Sequence, residues 1–179
     1  SEFPRWLVLE VGADRPNDIK NIASWLNPDI VIVTRFSAVP VHIEFFKSRE
    51  ELIKEKEYLA KSLKKDGILI LNYDDVDVMN FKKNFVGRII TFGFNNGADI
   101  LGSNSIILYE KDRPVGMNFK INIAGNSVPI SIFGALGLQH LYPILSAVAV
   151  GISQNMNMVD ISQSFTGYIP PKGRMNIIE

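Results

Sequence analysis

Four short apolar runs alternate with stretches of helical spacing between Trp6 and Phe92, and this alternation limits the fold more than any other feature of the chain. The runs are Trp6 to Val11 (WLVLEV), Asp29 to Thr34 (DIVIVT), Ile68 to Leu71 (ILIL) and Arg88 to Phe92 (RIITF). They are apolar on successive residues and rich in β-branched side chains. Strands of this kind are buried on both faces, which a parallel sheet covered by helices on each side provides. The intervening stretches read as those helices. Pro16 to Leu26 places Ile19, Ile22, Ala23 and Leu26 on one face, with Pro16 suited to the first turn. Ser48-Arg49-Glu50-Glu51 is a capping box that opens a charged helix to about Lys65, where Asp66-Gly67 stops it. A shorter helix is expected over Val76 to Asn84. The order is β-α-β-α-β-α-β, with right-handed crossovers.

The pattern changes after Gly97. Ile100 to Tyr109, Met117 to Ile123 and Val128 to Phe133 read as strands separated by turn residues (Asp112-Arg113-Pro114, then Gly125-Asn126), with no helical spacing between them. They form an antiparallel meander. A buried helix rich in Ala and Val follows over Leu138 to Ser153, with Pro143 in its first turn, and a short last helix covers Val159 to Phe165. Pro170-Pro171-Lys172-Gly173 reads as a hinge. The predicted fold class is α/β: a mainly parallel sheet flanked by helices, with a small antiparallel β layer. The expected organisation is one domain over 1–169, with the antiparallel insertion at 97–134, and a hinge over 170–179.

Composition narrows the function. The chain has 179 residues, 46% of them apolar and 21% charged, which suits a single globular domain. Without cysteine, a disulfide framework, a thiolate zinc site and a cysteine nucleophile are excluded. Lys and Arg together number 19, as do Asp and Glu, so there is no broad basic footprint and nucleic acid is not an expected partner. No apolar run reaches the roughly 20 residues of a membrane span. The start, Ser1-Glu2-Phe3-Pro4-Arg5-Trp6, has no leader pattern, and a cytoplasmic location is expected. The abrupt entry into an apolar run reads as a cut edge. A parallel sheet missing strands would leave an edge open to self-association.

Ligands of open α/β sheets bind beyond the carboxyl ends of the strands. Glu10, Thr34, His42, Asn72, Asp74 and Asp75 fall there, and Lys56 lies on the helix entered from the His42 loop. Each has a plain structural alternative. Glu10 in an apolar strand is a metal or catalytic carboxylate, or a strand-end group paired with backbone or a lysine. His42 is a ligand or a loop cap. Lys56 is one of four lysines between Lys54 and Lys64, which fits a solvated helix face. Asn72-Tyr73-Asp74-Asp75 is a good turn on its own terms. His140 suits a helix start, and Arg174 is a phosphate contact or an exposed linker residue. No serine–histidine–acid triad and no G-x-x-x-x-G-K-[ST] loop occurs.

Taken in order, these segments resemble the Mur ligases. Leu7-Val8-Leu9-Glu10-Val11-Gly12-Ala13-Asp14 resembles the family's Glu-x-Gly-Ala strand end. Val41-His42-Ile43-Glu44-Phe45-Phe46 is similar to its His-x-Glu-x-Phe loop. Glu55-Lys56-Glu57 resembles the lysine helix, and Gly67 to Asp75 (GILILNYDD) the Asn-x-Asp-Asp strand end. Leu136-Gly137 through Gly151 resembles the late Ala-rich helix, and Gly173-Arg174-Met175 the junction to a C-terminal domain. The pattern is nearest the branch that adds D-alanyl-D-alanine to UDP-N-acetylmuramoyl-tripeptide. Folylpolyglutamate synthases and cyanophycin synthetases share the general scheme.

The resemblance implies an ATP-dependent amide-forming ligase of peptidoglycan precursor synthesis, acting through an acyl phosphate. Its partners are a UDP-muramoyl peptide and an amino acid or dipeptide. Its cofactors are ATP and Mg²⁺. The metal ligands carry over onto Glu10, His42 and Lys56, the last as a carbamate and the catalytic lysine. Nucleotide contacts carry over onto Asn72, Asp74, His140 and Arg174. Two departures stand out. Where the family has His-Asn or His-Gln this chain has the inverted order Gln139-His140, and Pro143 takes the place of a second Asn. The family's phosphate loop should precede Glu10 and a further domain should follow Arg174, so the 179 residues read as a partial chain, inactive alone. A degenerate, non-catalytic binding or scaffold module of the same fold is the alternative.

Overall fold

The computed structural model describes residues 4–37, 43–171 and 177. Its centre is one six-stranded sheet in the order β1 to β6: β1 (Ile30–Val33), β2 (Ile68–Asn72), β3 (Arg88–Gly93), β4 (Ile100–Glu110), β5 (Arg113–Ile123) and β6 (Asn126–Phe133). β1 to β4 run parallel and β4 to β6 antiparallel. The expected antiparallel meander is therefore joined directly to the parallel strands. It continues the same sheet.

The change of direction happens without a helix. Residues 94–99 alone connect the parallel strands β3 and β4, where a crossover usually needs a dozen or more. The short link works because β4 pairs only with the end of β3, Phe92 with Ile100 and Gly93 with Leu101, and then runs on past it. Asp99 closes the link. One of its carboxylate oxygens accepts from the Thr91 N–H at 2.8 Å and the Thr91 hydroxyl at 2.7 Å, and its own N–H donates back to Thr91 Oγ1 at 2.9 Å.

Helices cover both faces. α1 (Asp18–Ala23), α2 (Arg49–Lys61) and α3 (Val76–Asn80) precede the meander; α4 (Leu141–Ser153) and α5 (Met158–Ser164) follow it. The two-residue period of β2 divides the core. Ile68 and Ile70 join Phe92, Phe119, Ile130 and the α4 residues Leu141, Leu145 and Val148. Leu69 and Leu71 join Val31, Phe36, Ala60, Val78 and Phe81 on the opposite side. Each such fully buried side chain contributes about 1.5–3 kcal/mol relative to exposure. A third cluster of Ala13, Ile19, Phe46 and Leu52 fastens α1 to α2. There the buried Glu55 carboxylate accepts from the Lys20 N–H at 2.9 Å.

The ends of α2 show how local chemistry sets its bounds. Ser48 Oγ accepts from Glu51 N–H at 3.3 Å, as the capping box predicts, but the Glu51 carboxylate reaches one residue further back, to the Lys47 N–H at 2.6 Å. The helix stops at Lys61 rather than near Lys65, because Lys64 already holds the approach to β1: its N–H donates to Pro28 O, and its amine pairs with Asp29 at 2.6 Å. α1 is shorter than the expected 16–26, starting after Asn17 at φ 74°.

One predicted element is corrected. Trp6 to Val11 forms no strand: the described part of this stretch is irregular, with Leu7 75% and Val8 90% exposed. A strand exists only within a ladder that pairs its N–H and C=O groups. Among the described residues no strand lies beyond β1, so the run has no ladder to join and its backbone is left to water.

Candidate functional site

The carboxyl ends of β1, β2 and β3 meet at Asn72-Tyr73-Asp74-Asp75, and the turn joins them side chain by side chain. Asn72, buried at the end of β2, donates from Nδ2 to Thr34 O at 2.8 Å and accepts the Asp74 N–H at Oδ1 at 3.0 Å. Asp74 accepts three hydrogen bonds: Phe94 N–H at 2.6 Å and the Tyr142 hydroxyl at 2.8 Å on Oδ2, and Asn95 N–H at 2.9 Å on Oδ1. Asp75 caps α3 through the N–H groups of Asp77 and Val78, and its other oxygen accepts from the Phe36 N–H at 2.8 Å. One four-residue turn thus ties the ends of β1 and β3 to the starts of α3 and α4. Arg49 at the start of α2 adds an ion pair to Asp77 at 2.7 Å, which holds its guanidinium pKa above the ordinary value.

Two glycines make room for the turn. A Cβ on Gly93 would lie 2.5 Å from Asp74 Oδ1, and one on Gly97, at φ 114°, would lie 2.4 Å from the Tyr73 hydroxyl. Tyr142 is held as the neutral phenol. Burial, then the hydrogen bond to Asp74 and that carboxylate's charge, push its pKa up to about 12.

Lys56 stands near this junction. Its Nζ lies 5.4 Å from the centroid of the Phe36 ring, within cation–π range. Phe36 is itself buried, packed on Phe81 at 5.7 Å and pinned by Asp75. Burial lowers the Lys56 pKa. Among the described residues the ion pairs are Arg49–Asp77, Lys61–Glu57 and Lys64–Asp29, so no carboxylate pairs with Lys56. Its neighbours Lys54, Lys61 and Lys64 are exposed, whereas Lys56 turns inward.

The remaining predicted residues are placed as follows. Glu10 is exposed on the irregular stretch ahead of α1, one residue before Val11, which packs on the α1–α2 cluster. It therefore does not occupy a strand end. His42 and Arg174 lie outside the described residues. His140 is buried in a single 3-10 turn before α4, and its Nε2 has no hydrogen-bond partner among the described residues. No group of three His, Asp or Glu side chains gathers among the described residues. Burial that lowers the Lys56 pKa favours the neutral amine, the form able to take up carbon dioxide. Sequence reasoning missed Tyr142 and Phe36. No spacing rule links residue 142 to 74 or residue 36 to 56. The glycine at 93 beside a carboxylate turn was the one local trace of a close approach.

Comparison with known proteins decides the family. The Mur ligase middle domain matches residues 4–151. The chain belongs to the Mur ligase family. This Mur ligase chain is 26% identical over 175 residues to the UDP-N-acetylmuramoyl-tripeptide–D-alanyl-D-alanine ligase of Buchnera aphidicola subsp. Baizongia pistaciae, covering 97% of this chain and 36% of that protein. It is 33% identical over 165 residues to the ligase of that name from Mycobacterium leprae, covering 88% and 31%. The Mur ligase chain thus spans about a third of the length of these curated relatives. Its fold matches the MurF ligase of Thermotoga maritima in complex with ADP, with a TM-score of 0.77 at 20% identity over 94% of this chain and 37% of that one. The α/β sheet with parallel and antiparallel parts is thereby the Mur ligase central-domain architecture.

Proposed function

We propose that this chain is the central domain of an ATP-dependent ligase that joins D-alanyl-D-alanine to UDP-N-acetylmuramoyl-tripeptide. The observation that carries the ligase reading is Lys56: a half-buried amine with a lowered pKa, without an acidic partner among the described residues, near the carboxyl end of the sheet. Similarity to two ligases named for this amine supports the choice of substrate.

The residues divide the work. The neutral Lys56 amine adds carbon dioxide. A nitrogen–carbon bond forms, one proton leaves to water, and an anionic carbamate remains. Together with Glu10 and His42 it would hold Mg²⁺, which when bound neutralises charge on the transferred phosphoryl group. His140 and Arg174 take the nucleotide, while Asn72 and Asp74 shape the wall on which it rests. The peptide carboxylate attacks the γ-phosphorus of ATP, the bond to the β–γ bridging oxygen breaks and ADP leaves, giving an acyl phosphate; the incoming amine then forms a C–N bond at the carbonyl carbon, inorganic phosphate leaves and the amine's proton passes to water. A cytoplasmic location goes with this reading.

The test is phosphate release by the whole protein supplied with ATP, Mg²⁺, UDP-N-acetylmuramoyl-tripeptide and D-alanyl-D-alanine. Release should require all four and vanish in Lys56→Met. Release that needs L-alanine and UDP-N-acetylmuramate instead would overturn the substrate. Release that survives Lys56→Met would overturn the site.

A further inference from the structure

The start of α4 is held to the sheet by one side chain that no expectation assigned. Tyr142 donates its hydroxyl to Asp74 at 2.8 Å, and its ring meets Phe94 edge-on, with centroids 5.3 Å apart at 76°. Phe94 is bound to the same carboxylate through its N–H and rests on Phe119 at 6.5 Å. Tyr142 therefore touches the β3–β4 link twice, once through Asp74 and once through the Phe94 ring.

The segment just before Tyr142 is held by the fully buried Leu141 and by a few backbone contacts. Gly137 turns at φ 100° and donates its N–H to the Met117 sulfur at 2.9 Å; His140 N–H closes a single turn onto Gly137 O at 3.1 Å. His140 itself is buried, with Nε2 unpartnered among the described residues. A buried ring nitrogen without a partner marks a place where a hydrogen bond is still to be made. Where that nitrogen points depends on how α4 begins; Leu141 seats that beginning in the core, and Tyr142 ties it to Asp74 and Phe94.

We propose that Tyr142 is a positioning residue for the nucleotide: its hydroxyl on Asp74 and its ring on Phe94 set residues 138–140 against the ends of β2 and β3, and so fix which base is accepted. The inference rests on the reading above that the His140 end of α4 takes the nucleotide. It adds the side chain that aims it. Asp74 acts with Tyr142 as the fixed point, because its other hydrogen bonds hold the β3–β4 link.

The experiment measures ADP and GDP affinity of the whole protein by calorimetry, for wild type, Tyr142→Phe and Ser146→Ala. Tyr142→Phe keeps the ring on Phe94 and loses only the hydroxyl. It should weaken ADP about tenfold and narrow the preference for ADP over GDP. Ser146→Ala removes a hydrogen bond to Pro143 O on the same helix and should leave both unchanged. Unaltered ADP affinity and base preference in Tyr142→Phe overturns the positioning role while the nucleotide reading stands. A wild type that binds neither nucleotide overturns that reading and the inference with it. Should Tyr142→Phe fail to fold, hydrogen exchange on wild type decides. ADP should slow the amides of Phe94, Asn95 and residues 139–142 together, and slowing confined to one of the two segments overturns the coupling.

Discussion

Gly93→Ala tests the Asp74 clasp without replacing any charged residue. The added Cβ would sit 2.5 Å from Asp74 Oδ1, 2.8 Å from Cγ and 2.9 Å from Oδ2, so the carboxylate must leave its place. Leaving breaks its three hydrogen bonds, to Phe94 N–H, Asn95 N–H and the Tyr142 hydroxyl. A hydrogen bond to a charged group is worth about 1.5–3 kcal/mol. Asn95 is exposed, so water replaces its lost bond at little cost. The other two give an expected loss of about 3–6 kcal/mol, or about 6–24 °C in Tm for a domain of this size. Asp74→Ala removes the same bonds and should cost a similar amount. It also removes the obstacle, so Gly93→Ala added to Asp74→Ala should cost almost nothing more. Urea unfolding of the four proteins measures the coupling, expected to equal the whole Gly93→Ala loss of about 3–6 kcal/mol. Additive losses would refute the close approach of Gly93 to Asp74 as the source of the cost.

Three further outcomes are expected. Tyr142 has its pKa raised to about 12 in the folded state, against about 10 unfolded; its contribution to stability is complete below about pH 10 and is lost as pH rises through 12. In an absorbance titration of tyrosinate, one of the five tyrosines should ionise late, and Tyr142→Phe should remove that late step. Lys56→Met should leave Tm unchanged or raise it, since the amine is desolvated without an acidic partner among the described residues, while ligase activity of the whole protein disappears; a clear drop in Tm would contradict this. Asp75→Ala strips the cap from α3 and the anchor from Phe36 together, and a loss of about 2–3 kcal/mol is expected in urea unfolding.

The parallel half of the fold was legible because its strands are apolar on successive residues, and β2 is indeed buried at every position. The meander was legible from its turn residues, and Ala124 and Gly125 take positive φ there. The run at Trp6 was not, because alternation reports what a segment could pair with and never whether a partner stands beside it. Lys56 shows the same limit at the site. Four lysines on a charged helix look alike along the chain, and the one that turns inward is distinguished by Phe36, twenty residues earlier. The family could be read from ordered segments each weak alone, since the order itself carries information that no single spacing does.

Asn72 and Asp74 show why a residue type at a strand end does not settle its role. Both were candidate nucleotide contacts. Yet the Asn72 amide is buried with both ends bonded, and three hydrogen bonds occupy most of the roughly four acceptor positions of Asp74. Any ligand that used them would compete with bonds that hold β1, β3 and α4 in register. Lys56 and His140 stand in the opposite condition, with polar atoms buried or half-buried and, among the described residues, without a hydrogen-bonded or acidic partner. The two conditions suit two duties: residues whose hydrogen bonds are satisfied hold the strand ends in place, and residues whose polar atoms lack partners are the ones proposed to meet a ligand. Substitutions should separate along that line. Changes at Asn72, Asp74 and Gly93 should lower stability and activity together, whereas changes at Lys56 and His140 should lower activity while stability holds or rises.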